Sequence, residues 1–185
     1  RGSLKASSTP DHADVVRAQG DDAAILRQTG GGFQVLSTDH LRAFVDDPVQ
    51  MTRIAAVHAL GDVWAMGAAP QTALSTIILP RMSHALQSRT LHEINSTAQE
   101  VFGAAEATVV GGHTTMGAEM TIGFTVTGTC AQKPVTLAGA QAGDILILTR
   151  PIGTGVILAA HMAGRAPPRV IAQTLRQMEQ PQSIA

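Results

Sequence analysis

Four aspartates lie at or near the ends of predicted strands and a helix. Their carboxylates are the side chains in this sequence best suited to binding a metal ion. Asp21 and Asp22 open a first predicted strand. Asp39 closes a second strand, and Asp62 lies on the helix that follows. Two carboxylates about 4 Å apart repel by roughly 4 kcal/mol at an effective dielectric constant of 20, so a hard cation would stabilise such a cluster. Magnesium prefers oxygen ligands and bridges carboxylates to substrate phosphates, which makes it the ion these aspartates indicate.

The same aspartates also have a purely structural interpretation, which the residues alone leave open. Asp21 or Asp22 would then be a turn residue, because a short Asp side chain hydrogen-bonds to nearby backbone. Asp39 would be a cap at a strand end. Asp62 would be an exposed position on its helix.

Two glycine-containing segments could bring backbone amides close to a phosphate. Gly111 and Gly112, followed by His113, end a predicted short strand, and paired glycines allow a ligand to approach the backbone closely. The segment 151–155 lies between a predicted strand and an apolar helix, where the helix dipole favours anions. It is not a Walker loop, because no Gly-Lys-Ser/Thr follows. Taken alone, each segment is better explained as an ordinary turn.

The histidines and the single cysteine do not form a recognisable metal motif, since no His/Cys spacing resembles a zinc site. Spacings of three and four place His58 and Asp62 on one predicted inward helix face with Met51, Ile54 and Ala55. His58 is then a core histidine or, alternatively, a support for Asp62. The one cysteine cannot form an internal disulfide, which fits a reducing cytoplasm.

Composition excludes several classes of function. The net charge is −1 and only 15% of residues are charged, so nothing indicates the basic patch of a nucleic-acid-binding protein. No apolar run approaches the roughly 20 residues of a membrane span, and the first residues lack the apolar core of a signal peptide. We therefore expect a cytoplasmic protein that binds neither nucleic acid nor membrane.

Strand and helix signals alternate along the chain, which predicts a mixed α/β (α+β) fold with a central sheet flanked by helices. Asp47 followed by Pro48 is a helix start, since Asp caps a helix and Pro fits its first position. Large apolar residues that alternate with threonine or glycine over 120–126 predict a half-buried strand. The other predicted strands cover 23–26, 33–38, 73–79, 107–110 and 144–149. The predicted helices cover 48–66, 91–102 and 156–162.

Three regions follow from this pattern. Residues 1–19 are polar without a period and are interpreted as a flexible leader. Residues 20–132 contain enough alternating elements for one domain. Residues 133–185 are interpreted as a connector and the beginning of a truncated second domain, because one strand and one or two helices are too few for a core.

Taken in order, five motifs resemble the superfamily of aminoimidazole ribonucleotide (AIR) synthetase, whose members share a fold and use ATP. Within it, 111–114 and 148–155 are most similar to selenide, water dikinase (selenophosphate synthetase). Thiamine-phosphate kinase, another member, more typically has Gly-Gly-Asp in place of Gly111-Gly112-His113. The five motifs are Gly20-Asp21-Asp22-Ala23-Ala24-Ile25-Leu26, Ser37-Thr38-Asp39, Val45-Asp46-Asp47-Pro48, Arg53-Ile54-Ala55-Ala56 and Gly61-Asp62-Val63-Trp64-Ala65-Met66-Gly67-Ala68-Ala69-Pro70.

The resemblance implies that Asp22, Asp39 and Asp62 are magnesium ligands around the phosphates of ATP. It implies a homodimer whose N-terminal sheets pair into a barrel-like core, with the strand 120–126 at the interface. The implied reaction converts ATP, selenide and water into selenophosphate, AMP and orthophosphate. The implied ATP-binding residues are Thr38, Asp39, Asp62, Gly111, Gly112 and His113.

The chain departs from the family pattern in ways that keep alternatives open. No catalytic residue is visible, because the expected upstream glycine-rich loop with a Cys and a Lys has no counterpart in residues 1–20. The family's Asn-Ala-x-Ser-Asp is His58-Ala59-Leu60-Gly61-Asp62 here, and its Phe pair is His40-Leu41. The chain by itself is therefore expected to be inactive. The alternatives are another superfamily enzyme, such as thiamine-phosphate kinase, or a non-catalytic dimerising nucleotide-binding module of a fusion protein.

Overall fold

A six-stranded sheet forms the centre of the molecule in the computed structural model, which describes residues 12–17 and 20–183. Its strand order is β1-β2-β3-β6-β4-β5, and neighbouring strands are antiparallel except for the parallel pair β4 and β5. The fold is thus the predicted mixed α/β type. The strands are β1 (Val15–Arg17), β2 (Ala24–Arg27), β3 (Phe33–Arg42), β4 (Ala69–Pro80), β5 (Thr108–Gly117) and β6 (Thr121–Cys130).

Two long helices cover one face of this sheet. The predicted helix start is confirmed, because Asp47 caps α1 by accepting the amide of Val49 at 2.8 Å and Pro48 occupies the first turn. Phe102 of α2 packs edge-on against Phe124 of β6, with 5.0 Å between ring centroids. The helices are α1 (Pro48–Ala65), α2 (His84–Ala104), α3 (Thr154–Met162) and α4 (Pro168–Met178). Among the described residues, no helix combines the length and apolarity needed to cross a membrane.

The inward face predicted for α1 is partly confirmed. Met51, Ile54 and Ala55 are buried, and Ile54 also packs against Ile171 of α4. His58 is the exception, since its side chain is 54% exposed. The histidine lies at the edge of the helix face, beside the carboxylate of Asp39 rather than over the sheet, so the prediction of an inward-facing histidine is wrong.

Two predictions about the N-terminal region and β5 need correction. Residues 1–11, 18 and 19 of the predicted leader lie outside the described residues, but Val15–Arg17 form β1 and pair with β2. The strand predicted to end before Gly111 continues to Gly117. Parallel pairing with β4 sustains it, and Gly112 is required there, because a Cβ would lie 2.2 Å from the Ser75 carbonyl oxygen. The glycine pair is therefore part of a strand at the edge of the sheet and not a loop.

The strand predicted over 144–149 is not formed. This segment has no regular secondary structure, and the side chains of Ile145 to Leu148 are 69% to 93% exposed. A strand requires a hydrogen-bonding neighbour, and within the described residues none of the six strands pairs with this segment. The helix predicted after it is present as α3, although α3 has no buried residue.

Candidate active site

A carboxylate cluster forms where β3 passes beneath α1. Side chains alternate between the two faces of a strand, so Ser37 and Asp39 both point to the face covered by the helices. Asp62 comes from the last turns of α1 and meets them there. The Ser37 hydroxyl donates a hydrogen bond of 2.5 Å to Oδ2 of Asp62, which fixes the helix against the strand at this point.

Asp39 extends the cluster on the same side of β3. Its carboxylate is close enough to that of Asp62 to raise the pKa of Asp62. On its other side, Oδ2 of Asp39 lies 3.9 Å from Nε2 of His58. The structure therefore brings together Asp39 and Asp62, as the sequence predicts.

Asp22 and Asp21 have different surroundings. The Asp22 carbonyl oxygen accepts a 3.3 Å hydrogen bond from the Ser37 hydroxyl, and its exposed carboxylate is close enough to act on Asp62. Asp21 instead accepts the backbone amide of Leu137 at 2.9 Å. Asp22 thus belongs to the cluster, whereas Asp21 attaches the segment after β6 to the start of β2.

The carboxylates of the cluster are close enough to affect the pKa of Asp62. The pKa of Asp62 is raised to about 6, chiefly by burial and also by the neighbouring carboxylates of Asp39 and Asp22, against the lowering effect of the hydrogen bond from Ser37. The causes that raise this pKa follow from the cost of holding a charge in a half-buried place beside like charges. A cation placed between the carboxylates would remove that cost.

The predicted metal ligands fit magnesium by their chemistry, although they do not form a complete coordination sphere. Among the described residues, no group of three or more His, Cys, Asp or Glu side chains lies in an arrangement that could hold a metal by itself. Magnesium needs no such group, since it is usually bound by one or two carboxylates together with substrate phosphates and water. The closely placed Asp39 and Asp62 carboxylates provide that kind of half-site.

The other predicted ATP-binding residues lie elsewhere. Thr38 points to the opposite, open face of the sheet, where its hydroxyl is hydrogen-bonded to that of Thr125 at 2.9 Å. Gly111, Gly112 and His113 lie on β5. Gly112 is in the same row of the sheet as Asp39 but three strands away, a distance of about 14 Å. One chain therefore does not bring these residues together with the carboxylates.

Ser37 is the site residue that the sequence reasoning missed. It is part of the Ser37-Thr38-Asp39 motif, in which the resemblance implies a role for Thr38 instead. The two-residue period of a strand could have identified it, because Ser37 must share a face with Asp39 and Thr38 must point away.

Replacing Asp62 should make stability less sensitive to pH. Folded Asp62 keeps its proton up to about pH 6, whereas an unfolded Asp loses it near pH 3.9. The folded state therefore binds more protons in this window, and the free energy of unfolding falls as pH rises through it. Asp62→Asn removes the charge and keeps an oxygen for Ser37, so we expect a melting temperature a few degrees higher at pH 8 and little change at pH 4.5.

The measurement is thermal unfolding in the presence of a chelator, with Asp46→Asn as the control, because Asp46 is an exposed aspartate. A melting temperature that Asp62→Asn lowers at pH 8, or changes equally at both pH values, would contradict the assignment of repulsion to Asp62.

Comparison with known proteins agrees with this fold. Residues 20–130 match the family model "AIR synthase related protein, N-terminal domain". The chain is 36% identical to the selenide, water dikinase of Myxococcus xanthus strain DK1622 over 178 residues, which are 96% of this chain and 49% of that protein. It is 37% identical to the selenide, water dikinase of Geobacter metallireducens over 159 residues, or 85% of this chain and 46% of that protein.

The fold has solved neighbours as well. A thiamine-monophosphate kinase from Stenotrophomonas maltophilia K279a superposes with a TM-score of 0.65 at 20% identity, over 91% of this chain and 55% of that one. The chain spans about half the length of the curated relatives that it matches. It belongs to the family of AIR synthase related proteins and carries their N-terminal domain over residues 20–130.

Proposed function

We propose that this chain is the magnesium- and ATP-binding half of an ATP-dependent phosphotransferase of the selenide, water dikinase kind. The observation that carries the proposal is the Ser37–Asp62–Asp39 cluster in a chain whose curated relatives bear that name. The proposed reaction converts ATP, selenide and water into selenophosphate, AMP and orthophosphate.

In this proposal the carboxylates of Asp22, Asp39 and Asp62 hold magnesium against the nucleotide phosphates. When bound, the ion neutralises charge on the phosphate oxygens. Ser37 orients Asp62 through its 2.5 Å hydrogen bond, and the buried side of α1 keeps Asp62 in place. In the proposed reaction selenide receives the phosphoryl group, and the cysteine-bearing loop expected to handle selenium has no counterpart in residues 1–20.

We also propose the division of the chain into an ATP-binding domain, 20–132, and the beginning of a second domain, 133–185. The amide of Leu137 is bound to Asp21, so the connector starts beside the site. The exposed apolar side chains of Ile145 to Leu148 and the lack of any buried residue on α3 are what an incomplete domain would show. This division predicts no turnover by residues 1–185 alone.

A homodimer through the open face of the sheet completes the proposal. Both long helices lie on the other face, and Leu74 is 48% exposed on the open one beside a row of threonines. Large exposed apolar positions mark association surfaces. Thr38, Gly111 and His113 also point to this open face, so we expect them to contact nucleotide across the dimer rather than beside their own Asp39.

A second candidate is another kinase of the superfamily, first of all thiamine-phosphate kinase. The solved thiamine-monophosphate kinase with a similar structure favours this candidate, but at 20% identity the similarity supports only the fold. A non-catalytic dimerising module of a fusion protein is the third candidate. It differs from both enzymes because it predicts nucleotide binding without turnover.

Asp39→Ala should weaken binding of magnesium–ATP to the chain at least tenfold, or about 1.4 kcal/mol, because it removes one of two closely placed carboxylates. The fold should persist, since the change leaves the hydrogen bond from Ser37 to Asp62 intact. Calorimetric titration measures the affinity and circular dichroism measures the melting temperature. Asp46→Ala is the control, and an unchanged affinity in Asp39→Ala would remove Asp39 from the site.

Leu74→Glu should convert the dimer to a monomer, because it places a charge in the proposed interface. Analytical ultracentrifugation measures the mass of the assembly. Leu86→Glu is the matched control, since Leu86 is similarly exposed but lies on α2. A monomeric unmodified chain, or a Leu74→Glu variant that still dimerises, would overturn the proposed interface.

The full-length protein that carries this sequence should release AMP from ATP only when selenide is present, and phosphorus NMR should then show selenophosphate. Formation of ADP that depends on thiamine phosphate would support the second candidate instead. Nucleotide binding without any turnover would support the third. Steady selenophosphate formation by residues 1–185 alone would contradict the proposed division of the chain.

A further inference from the structure

A cavity of about 440 Å³ lies between the C-terminal ends of α1 and α2. The start of β4 and the residues after α4 complete its walls, and none of the aspartates of the candidate active site lines it. Pockets of about 300–1,000 Å³ with a mostly apolar lining are typical sites for small organic molecules. The main apolar lining residues are Leu60, Trp64, Pro70, Val101 and Ala104.

The cavity has one charged group. Among the described residues that line it, Glu106 is the only one with a charged side chain. Glu106 lies in the turn after α2, which is closed by a hydrogen bond of 2.8 Å from the amide of Ala107 to the carbonyl of Phe102. A single carboxylate in an otherwise apolar lining is complementary to a ligand that has one positive charge and an apolar body.

The backbone of Glu106 is unusual for a residue with a side chain. Its φ is 59°, in the left-handed region, and among the described residues it is the only non-glycine residue with a positive φ. Glycine is the usual residue at this position after a helix, because it has no Cβ to strain the turn. Strained residues of this kind are frequent at ligand sites, so the presence of glutamate here favours a use for its carboxylate.

Trp64 contributes an aromatic surface to the same cavity. Its side chain packs against the core and is partly exposed. Trp64 follows Leu60 by one turn of α1, so the two side chains lie on the same face of that helix. Indole is the aromatic group that attracts organic cations most strongly. The cavity therefore combines a carboxylate, an indole ring and aliphatic side chains.

We propose that this cavity binds a small organic ammonium ion. The Glu106 carboxylate balances the positive charge of the ligand, Trp64 contacts the cation, and the aliphatic residues of α1 and α2 contact its apolar part. This site is separate from the aspartate cluster, and the inference does not depend on the proposed function.

The test uses the fluorescence of Trp64. It is the only tryptophan of the chain, which has no tyrosine, so its emission reports on this cavity alone. The test compound is phenylbutylammonium, and phenylbutanol is its neutral counterpart of the same shape. We expect a saturable change in emission with phenylbutylammonium and roughly tenfold weaker binding of phenylbutanol. Calorimetry with both compounds gives a second measurement of each affinity.

Two variants isolate the carboxylate. Glu106→Gln removes the charge and keeps the length of the side chain, so it should weaken binding of phenylbutylammonium roughly fivefold. Glu106→Gly should weaken binding at least as much without lowering the melting temperature, because glycine adopts the left-handed turn without strain. Glu93→Gln is the matched control and should bind like the unmodified chain, since Glu93 is an acidic residue of α2 outside the cavity.

Three results would overturn the proposal. The first is equal affinity for phenylbutylammonium and phenylbutanol, which would mean that the cavity accepts apolar molecules without recognising charge. The second is an unmodified chain that binds neither compound. The third is a pair of Glu106 variants that bind phenylbutylammonium as tightly as Glu93→Gln does. None of these results would affect the proposed metal–nucleotide function, which is tested at Asp39.

Discussion

The repulsion between the carboxylates of Asp39 and Asp62 is the constraint on which the site depends. The two side chains come close because a strand and a helix pack face to face, and Ser37 of the strand donates a hydrogen bond to Asp62 of the helix. Folding thus gathers negative charge at a half-buried place where burial and like charges already raise the pKa of Asp62 to about 6. A bound cation stabilises a site of this kind, because it offsets the repulsion between the carboxylates.

The scaffold makes this arrangement possible by bringing α1 close to the sheet. Gly128 of β6 lies beneath the helix, and a Cβ there would be 2.4 Å from Cγ1 of Val63, the residue after Asp62. The missing side chain allows the helix to approach closely enough for Asp62 to reach Ser37. Behind the site, Phe102 and Phe124 pack in a buried core that holds the helices on one face only. The uncovered face is therefore free for association with a second chain.

Local signals in the sequence predicted the elements that depend on local chemistry. They failed where contacts between residues distant in sequence determine the length of a strand or the exposure of a side chain. The cap Asp47 and Pro48 fixed the start of α1, and alternation identified β6. The extension of β5 through Gly111 and Gly112 depends on pairing with β4, which no local pattern reveals. The exposure of His58 depends on where the edge of α1 meets β3. The grouping of Asp22, Asp39 and Asp62 was expected from ordered motifs, and the opposite orientation of Thr38 follows from the two-residue period of β3.

Proton release on binding of magnesium–ATP tests the central claim most directly. If the ion binds at Asp62, it must displace the proton that this carboxyl group holds near pH 6. Calorimetry in two buffers of different ionisation enthalpy, with magnesium-saturated ATP, should show release of about half a proton at pH 6 and almost none at pH 8. Binding with no proton release at pH 6, or with the same release at both pH values, would contradict a metal–nucleotide site at this carboxylate cluster.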